Sequence, residues 1–174
     1  MRAEPADDPK ATARDEVDRL VAAWRAARPE LDPSPLEVLS RVSRLSKHLD
    51  RARQRALDGE GLDLWEFDVL VALRRAAPPH QLSPGALLHA TMVTSGTMTN
   101  RIDRLTERGL VARRPDPEDG RGVLVRLTPR GRERADGAMT GLLERERELL
   151  AELDPDAQTA LARLLRRLLL SFDG

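Results

Sequence analysis

Apolar residues recur along this chain at intervals of three and four, and a capping signal stands ahead of most of the runs. Ser34-Pro35, Ser83-Pro84, Thr128-Pro129 and Asp154-Pro155 each place a side-chain acceptor at an expected N-cap. Proline then occupies the first helical position, where its missing N–H costs nothing. Glu37 follows Ser34 by three residues and Glu66 follows Asp63 by three, the spacing of a capping box. The pattern predicts helices over residues 13–28, 34–57, 63–76, 83–90, 94–108, 129–152 and 155–172. One stretch changes period. "LVARR" runs into the turn "PDPEDG", after which Val123, Val125 and Leu127 alternate with Leu124 and Arg126, as in a hairpin. A lone two-stranded hairpin is marginal in water, so this one must lean on the helices beside it.

Ahead of the hairpin come two short helical segments, "LSPGALLHA" and "TSGTMTNRIDRLTER", the second closed by Gly109 as a left-handed C-cap. Helix, tight turn, helix and hairpin is the order of a winged helix-turn-helix. The expected fold is therefore mainly α with a small β-hairpin wing. In the second helix Met98, Ile102 and Leu105 form the buried stripe. The opposite face carries Gly96, Asn100, Asp103 and Arg104, flanked by Thr97 and Thr99. Small residues, hydroxyls, an amide and an arginine suit a helix that enters a major groove and meets base edges. A solvated amphipathic helix would share the pattern, and the charge distribution separates the two. The chain has no net charge, yet residues 101–134 hold ten arginines against six acids. Asp119 is placed to brace the hairpin tip and Arg121 to point from it toward a minor groove, whose negative potential attracts guanidinium. A solvated charged turn is the alternative.

Composition then removes other classes. At 174 residues the chain suits one domain. It contains no cysteine, which excludes disulfides, thiolate metal sites and thiol redox sensing. It shows no apolar run of membrane-spanning length and no signal-peptide core near the start, so a soluble cytoplasmic protein is expected. There is no glycine-rich phosphate loop, and His48, His80 and His89 lack metal-ligand spacing; no catalytic site, metal or cofactor is expected. The histidines are read as exposed or capping residues.

The remaining helices point to a partner and to a ligand. Leu161, Leu164, Leu165, Leu168, Leu169 and Phe172 form a stripe on the last helix, and Leu142, Leu149, Leu150 and Leu153 line the one before. Pairing with a second copy of the chain is the expected use. On the first helix Val17, Leu20, Val21 and Trp24 share a face, and Trp24 belongs to the scarce 2% of aromatic residues. It either docks that helix or meets a ligand. In "LDLWEFDVLVALRR" apolar residues point in nearly every direction, so burial all round is expected. Asp68 and Arg75 then share a face but lie about 10 Å apart along the axis, too far to satisfy one another. Each needs a further partner, and Arg101, beside the apolar stripe of its helix, is a candidate.

Residues 83–131 resemble the DNA-binding lobe of the MarR (multiple antibiotic resistance regulator) family of bacterial transcription factors. The resemblance rests on Ile102-Asp103-x-Leu105, Gly109-Leu110-Val111 and Asp119-x-Arg121 in combination. It implies one MarR-like domain over residues 1–174, with dimerisation helices at 12–57 and 129–174 and a winged lobe at 63–128. It further implies a homodimer that binds double-stranded DNA at a palindromic operator through Ser95, Gly96, Thr97, Thr99, Asn100, Arg104 and Arg121. The added first helix "VDRLVAAW" and "WEFDVLVALRRAAPP" are similar to the urate-responsive branch of that family. There a tryptophan, an aspartate and two arginines bind urate and binding releases DNA; the matching positions are Trp24, Asp68, Arg75 and Arg101. A polycarboxylate anion suits the same arginines. A helical protein-interaction adaptor on a winged scaffold, and a DNA-binding regulator with no ligand, are the alternatives.

Overall fold

A computed structural model of the chain describes residues 13–92, 94–117, 119 and 122–172. Helices α1 (Glu16–Ala27), α2 (Ser34–Glu60) and α3 (Leu64–Arg75) lead to strand β1 (Gln81–Leu82). Then follow α4 (Pro84–Thr91), α5 (Ser95–Glu107), β2 (Val111–Pro115), β3 (Val123–Leu127), α6 (Pro129–Leu150) and α7 (Pro155–Leu169). Every expected helix is present, with ends close to those the caps announce. The chain divides into two compact units between Asp50 and Arg51, so the boundary falls within α2.

In the first unit Asp15 caps α1, accepting the Val17 and Asp18 N–H groups at 2.8 and 3.0 Å, while Asp18 returns the bond to the Asp15 N–H at 2.8 Å. Arg41 of α2 grips both carboxylates at 2.8 Å. Its hydrogen bond holds the Asp15 carboxyl well below the usual carboxylate range, at about 2. The start of α2 differs from expectation. Ser34 is the first helical residue, and Asp32 supplies the acceptor, taking the Ser34 N–H at 3.0 Å and its hydroxyl at 2.8 Å. Glu37, read as half of a capping box, pairs with Arg25 at 2.8 Å.

The second unit is built around α3. Phe67, Val69, Leu70, Ala72 and Leu73 are buried with Leu87 of α4, Met98, Ile102 and Leu105 of α5, Val125 of β3, and Ala135, Ala138 and Leu142 of α6. Two expectations are corrected. The helix is not buried all round: Leu64 is 44% exposed, Asp68 and Val71 are half-buried and Arg75 is exposed, so its Leu64–Asp68–Val71–Arg75 face is open. Leu142 belongs to this core instead of to a partner-facing stripe, whereas Leu149, Leu150 and Leu153 remain exposed.

The hairpin is also larger than expected. β3 lies between β2 and β1 in a three-stranded antiparallel sheet. Val111 is registered with Leu127 and Pro115 with Val123, while Gln81 and Leu82 pair with Arg126 and Val125. The additional strand answers the question of support: the Leu127 N–H donates to the His80 carbonyl at 3.1 Å, and Val125 and Leu127 enter the core. At the other edge the Thr128 N–H donates to the Leu110 carbonyl at 3.1 Å, and the Thr128 hydroxyl receives the Gly131 N–H at 2.9 Å as the N-cap of α6. These bonds set β2, β3 and α6 in one frame.

Candidate nucleic-acid interface and ligand cavity

The turn between α4 and α5 is made by Met92 in the left-handed region, φ 53°, and Thr94 as the N-cap of α5. At the far end Gly109, φ 69°, lets the chain reverse. The Leu110 N–H then reaches the Leu105 carbonyl and the Gly109 N–H the Thr106 carbonyl, both at 2.9 Å, which is the Schellman closure. With Met98, Ile102 and Leu105 buried, the other side of α5 is presented outward. Ser95, Gly96, Thr97, Thr99, Asn100 and Arg104 are all exposed. A Cβ on Gly96 would meet nothing within 4 Å among the described residues, so their packing does not demand glycine there. Asp103 leaves this set, half-buried and ion-paired with Arg113 of β2. Asp119 is exposed at the hairpin tip, and its carbonyl accepts the Gly122 N–H at 2.8 Å. Arg121 lies outside the described residues.

Two features beside α5 were not legible in the sequence. The ring of Trp65 faces two guanidiniums, with the Cζ of Arg104 at 4.8 Å and that of Arg101 at 5.5 Å from its centroid. The indole N–H donates to Asp63 Oδ2 at 3.1 Å. Trp65, Arg101 and Arg104 line an open hollow of about 470 Å³ with Gly96, Thr97 and Asn100. Next to it, the carboxylate of Glu66 is fully buried. It accepts the Asp63 N–H at 2.9 Å and the Arg108 guanidinium, which also donates to the Gly61 carbonyl at 2.8 Å. Among the described residues Glu66 Oε1 has no hydrogen-bond partner. The buried charge of α3 is thus Glu66, which its sequence position marked only as a capping residue.

A second cavity, of about 350 Å³, opens on the exposed face of α3. Asp68 and Arg75 line it together, with Arg53, Val71, Thr91 and Met139 around them. The structure brings these two expected ligand residues to one place, and adds Arg53, whose Cζ stands 6.0 Å from the Phe67 ring centroid. It does not bring Arg101 there, because that side chain is turned to Trp65. Trp24, in the first unit, is 44% exposed, whereas Val17 and Val21 on the same helix are buried. Among the described residues no group of three His, Cys, Asp or Glu is arranged to hold a metal ion. No helix among them is long and apolar enough to cross a membrane.

Residues 60–122 match the sequence model of the MarR family. The chain is 36% identical over 152 residues to the transcriptional regulator PecS of Dickeya dadantii, covering 87% of this chain and 92% of that one. Among solved structures, a mutant MarR from E. coli complexed with operator DNA superposes with a TM-score of 0.64 at 28% identity, over 80% of this chain and 99% of that one. A structure concerned with the regulation of DNA binding of Bordetella bronchiseptica BpsR by 6-hydroxynicotinic acid superposes at 0.59 with 30% identity, over 75% and 91%.

Proposed function

Because the chain belongs to the MarR family of winged helix-turn-helix transcriptional regulators and is not an enzyme, we propose that it acts as a homodimeric repressor on a palindromic operator. A small anionic ligand bound at Asp68 and Arg75 would weaken its hold on DNA. The observation that carries the DNA reading is the outward face of α5, where Ser95, Gly96, Thr97, Thr99, Asn100 and Arg104 stand exposed, with nothing among the described residues pressing on Gly96. A side with short residues lets a groove approach, while the amide and guanidinium can make paired hydrogen bonds to base edges. Arg121 would add a charge from the hairpin, whose tip Asp119 is placed to brace. The exposed leucines of α7 support assembly into a dimer, which would set two α5 helices about one DNA turn apart.

Electrophoretic retardation with DNA from upstream of the protein's own gene tests this directly. Asn100→Ala should weaken binding by roughly 1–3 kcal/mol, concentrated at one base position of the operator. Arg121→Ala should weaken all operator variants alike and flatten the salt dependence by about one charge. Equal losses on every sequence for Asn100→Ala would remove it from the reading face, and an unchanged salt slope for Arg121→Ala would take the hairpin off the DNA.

For the ligand, the cations Arg53 and Arg75 around one cavity support a planar or polycarboxylate anion, whose charge would disturb the half-buried Asp68 carboxylate beside them. BpsR, whose DNA binding is regulated by 6-hydroxynicotinic acid, is a structural neighbour of this chain. Urate is the first compound to test at this cavity, with Trp24 and Arg101 substituted in turn to ask whether either is needed for the response. Its addition should quench tryptophan fluorescence and release operator DNA. The quench should shrink in Trp24→Phe, and Arg75→Ala should weaken binding by roughly tenfold or more. Absence of heat on titration with urate and with citrate up to millimolar concentration would leave a regulator without this ligand, the alternative reading. Release requires that the ligand bind the DNA-incompetent state more tightly than the competent one.

A further inference from the structure

We propose that Trp65 is a positioning residue for DNA contact, holding Arg101 and Arg104 of α5 in the orientation from which they engage DNA. The inference rests on the DNA-binding reading above. Trp65 is half-buried at the start of α3, packed against the core on one side and facing two guanidiniums on the other. A leucine would also offer the core side an apolar surface. What only an aromatic ring supplies is a negative face, and both arginines stand over it, at 4.8 and 5.5 Å.

Arg101 and Arg104 are three residues apart on one helix edge, where like charges repel and long side chains would otherwise sweep through many rotamers. The ring counters both effects. Asp63 strengthens the arrangement by accepting the indole N–H at 3.1 Å and standing 4.0 Å from the Arg104 guanidinium. One turn further along, Arg108 is fastened to Glu66 and to the Gly61 carbonyl. Residues 61–66 therefore meet Arg101, Arg104 and Arg108 along the C-terminal half of α5 and its cap. The attraction to the ring draws on the guanidinium's charge, so N–H donors not turned to the ring are able to bond phosphate or base edges. Side chains ordered in advance lose less freedom on binding. The neighbouring hollow, bounded by Gly96, Thr97 and Asn100, places both cations beside the residues proposed to read DNA.

The experiment is a double-mutant cycle read by fluorescence anisotropy on labelled operator DNA, with thermal unfolding measured for every variant. Trp65→Leu should weaken operator binding about tenfold. In the Arg101→Ala/Arg104→Ala background the same change should add less than about twofold, because the groups that the ring positions are gone. Trp65→Phe keeps an aromatic face and loses the N–H, so it should restore most of the affinity. Equal losses from Trp65→Leu with and without the arginines would make the tryptophan a packing residue and overturn the inference, as would an unchanged affinity. If Trp65→Leu fails to fold, Trp65→Phe carries the cycle, with a two- to threefold loss expected that disappears in the arginine-free background. Wild-type protein that gives no retardation with its upstream DNA would sink the DNA-binding reading itself, and this inference with it.

Discussion

Gly131→Ala is expected to destabilise the second unit by roughly 3 kcal/mol or more, lowering the melting temperature by roughly 6–12 °C. An added Cβ would lie 1.9 Å from the Leu110 carbonyl oxygen and 2.9 Å from its carbon. Neither partner is free to retreat. The Leu110 carbonyl receives the Thr128 N–H and hydroxyl, both at 3.1 Å, and the Gly131 N–H is committed to that hydroxyl at 2.9 Å. Relief would require α6 to withdraw from the start of β2, which strips the N-cap of α6 and unseats the hairpin. Differential scanning calorimetry measures the effect, and a melting point within two or three degrees of wild type would show the close approach to be soft. Gly96→Ala is the control: its Cβ enters open space, so stability should hold or rise slightly while operator binding falls.

The proposed pairing of subunits predicts the second large effect. Deleting residues 154–174 should abolish specific operator binding, a loss of roughly a thousandfold or more, because one lobe alone retains only the sequence-independent part of the affinity. A subtler pair of substitutions separates assembly from folding. Leu164 and Leu168 are 53% and 48% exposed in the single chain, so Leu164→Glu and Leu168→Glu burden the chain itself little while placing unpaired carboxylates where a partner would close over them. Sedimentation should report a folded monomer that no longer binds the operator. A double variant that still sediments as a dimer and binds normally would move the subunit contact off α7.

Helix positions were legible because their signals are local. Ser83, Thr128 and Asp154 each accept the N–H three residues on, as their pairing with the following proline announces. β1 was not legible, since two residues cannot display an alternating period, and Gln81-Leu82 is a strand only because β3 lies beside it. The open face of α3 was misread for a related reason. Leu64 and Val71 are apolar, and periodicity cannot tell a residue that lines a cavity from one that fills a core. For the site, the outward side of α5 followed from its buried stripe, but the direction taken by each arginine did not. Arg101 sits at the margin of that stripe on a helical wheel, and it is Trp65, thirty-six positions earlier, that decides which way it turns. Asp103 was assigned by the wheel to the outward face, and the ion pair with Arg113 draws it to the hairpin instead.

That last ion pair limits how DNA preference can change in descendants of this sequence. Asp103 ties α5 to Arg113 in the middle of β2, while Gly109 and Leu110 carry the chain from one to the other without slack. The two proposed DNA-reading elements are therefore not separable cartridges. Replacing residues 95–107 with a helix that lacks an acid at position 103 would leave Arg113 without that partner and loosen the tie between helix and hairpin. Diversification should accumulate at Gly96, Thr97, Thr99 and Asn100, whose side chains owe the core nothing, and altered operator preference should be selectable there one residue at a time with the frame left intact.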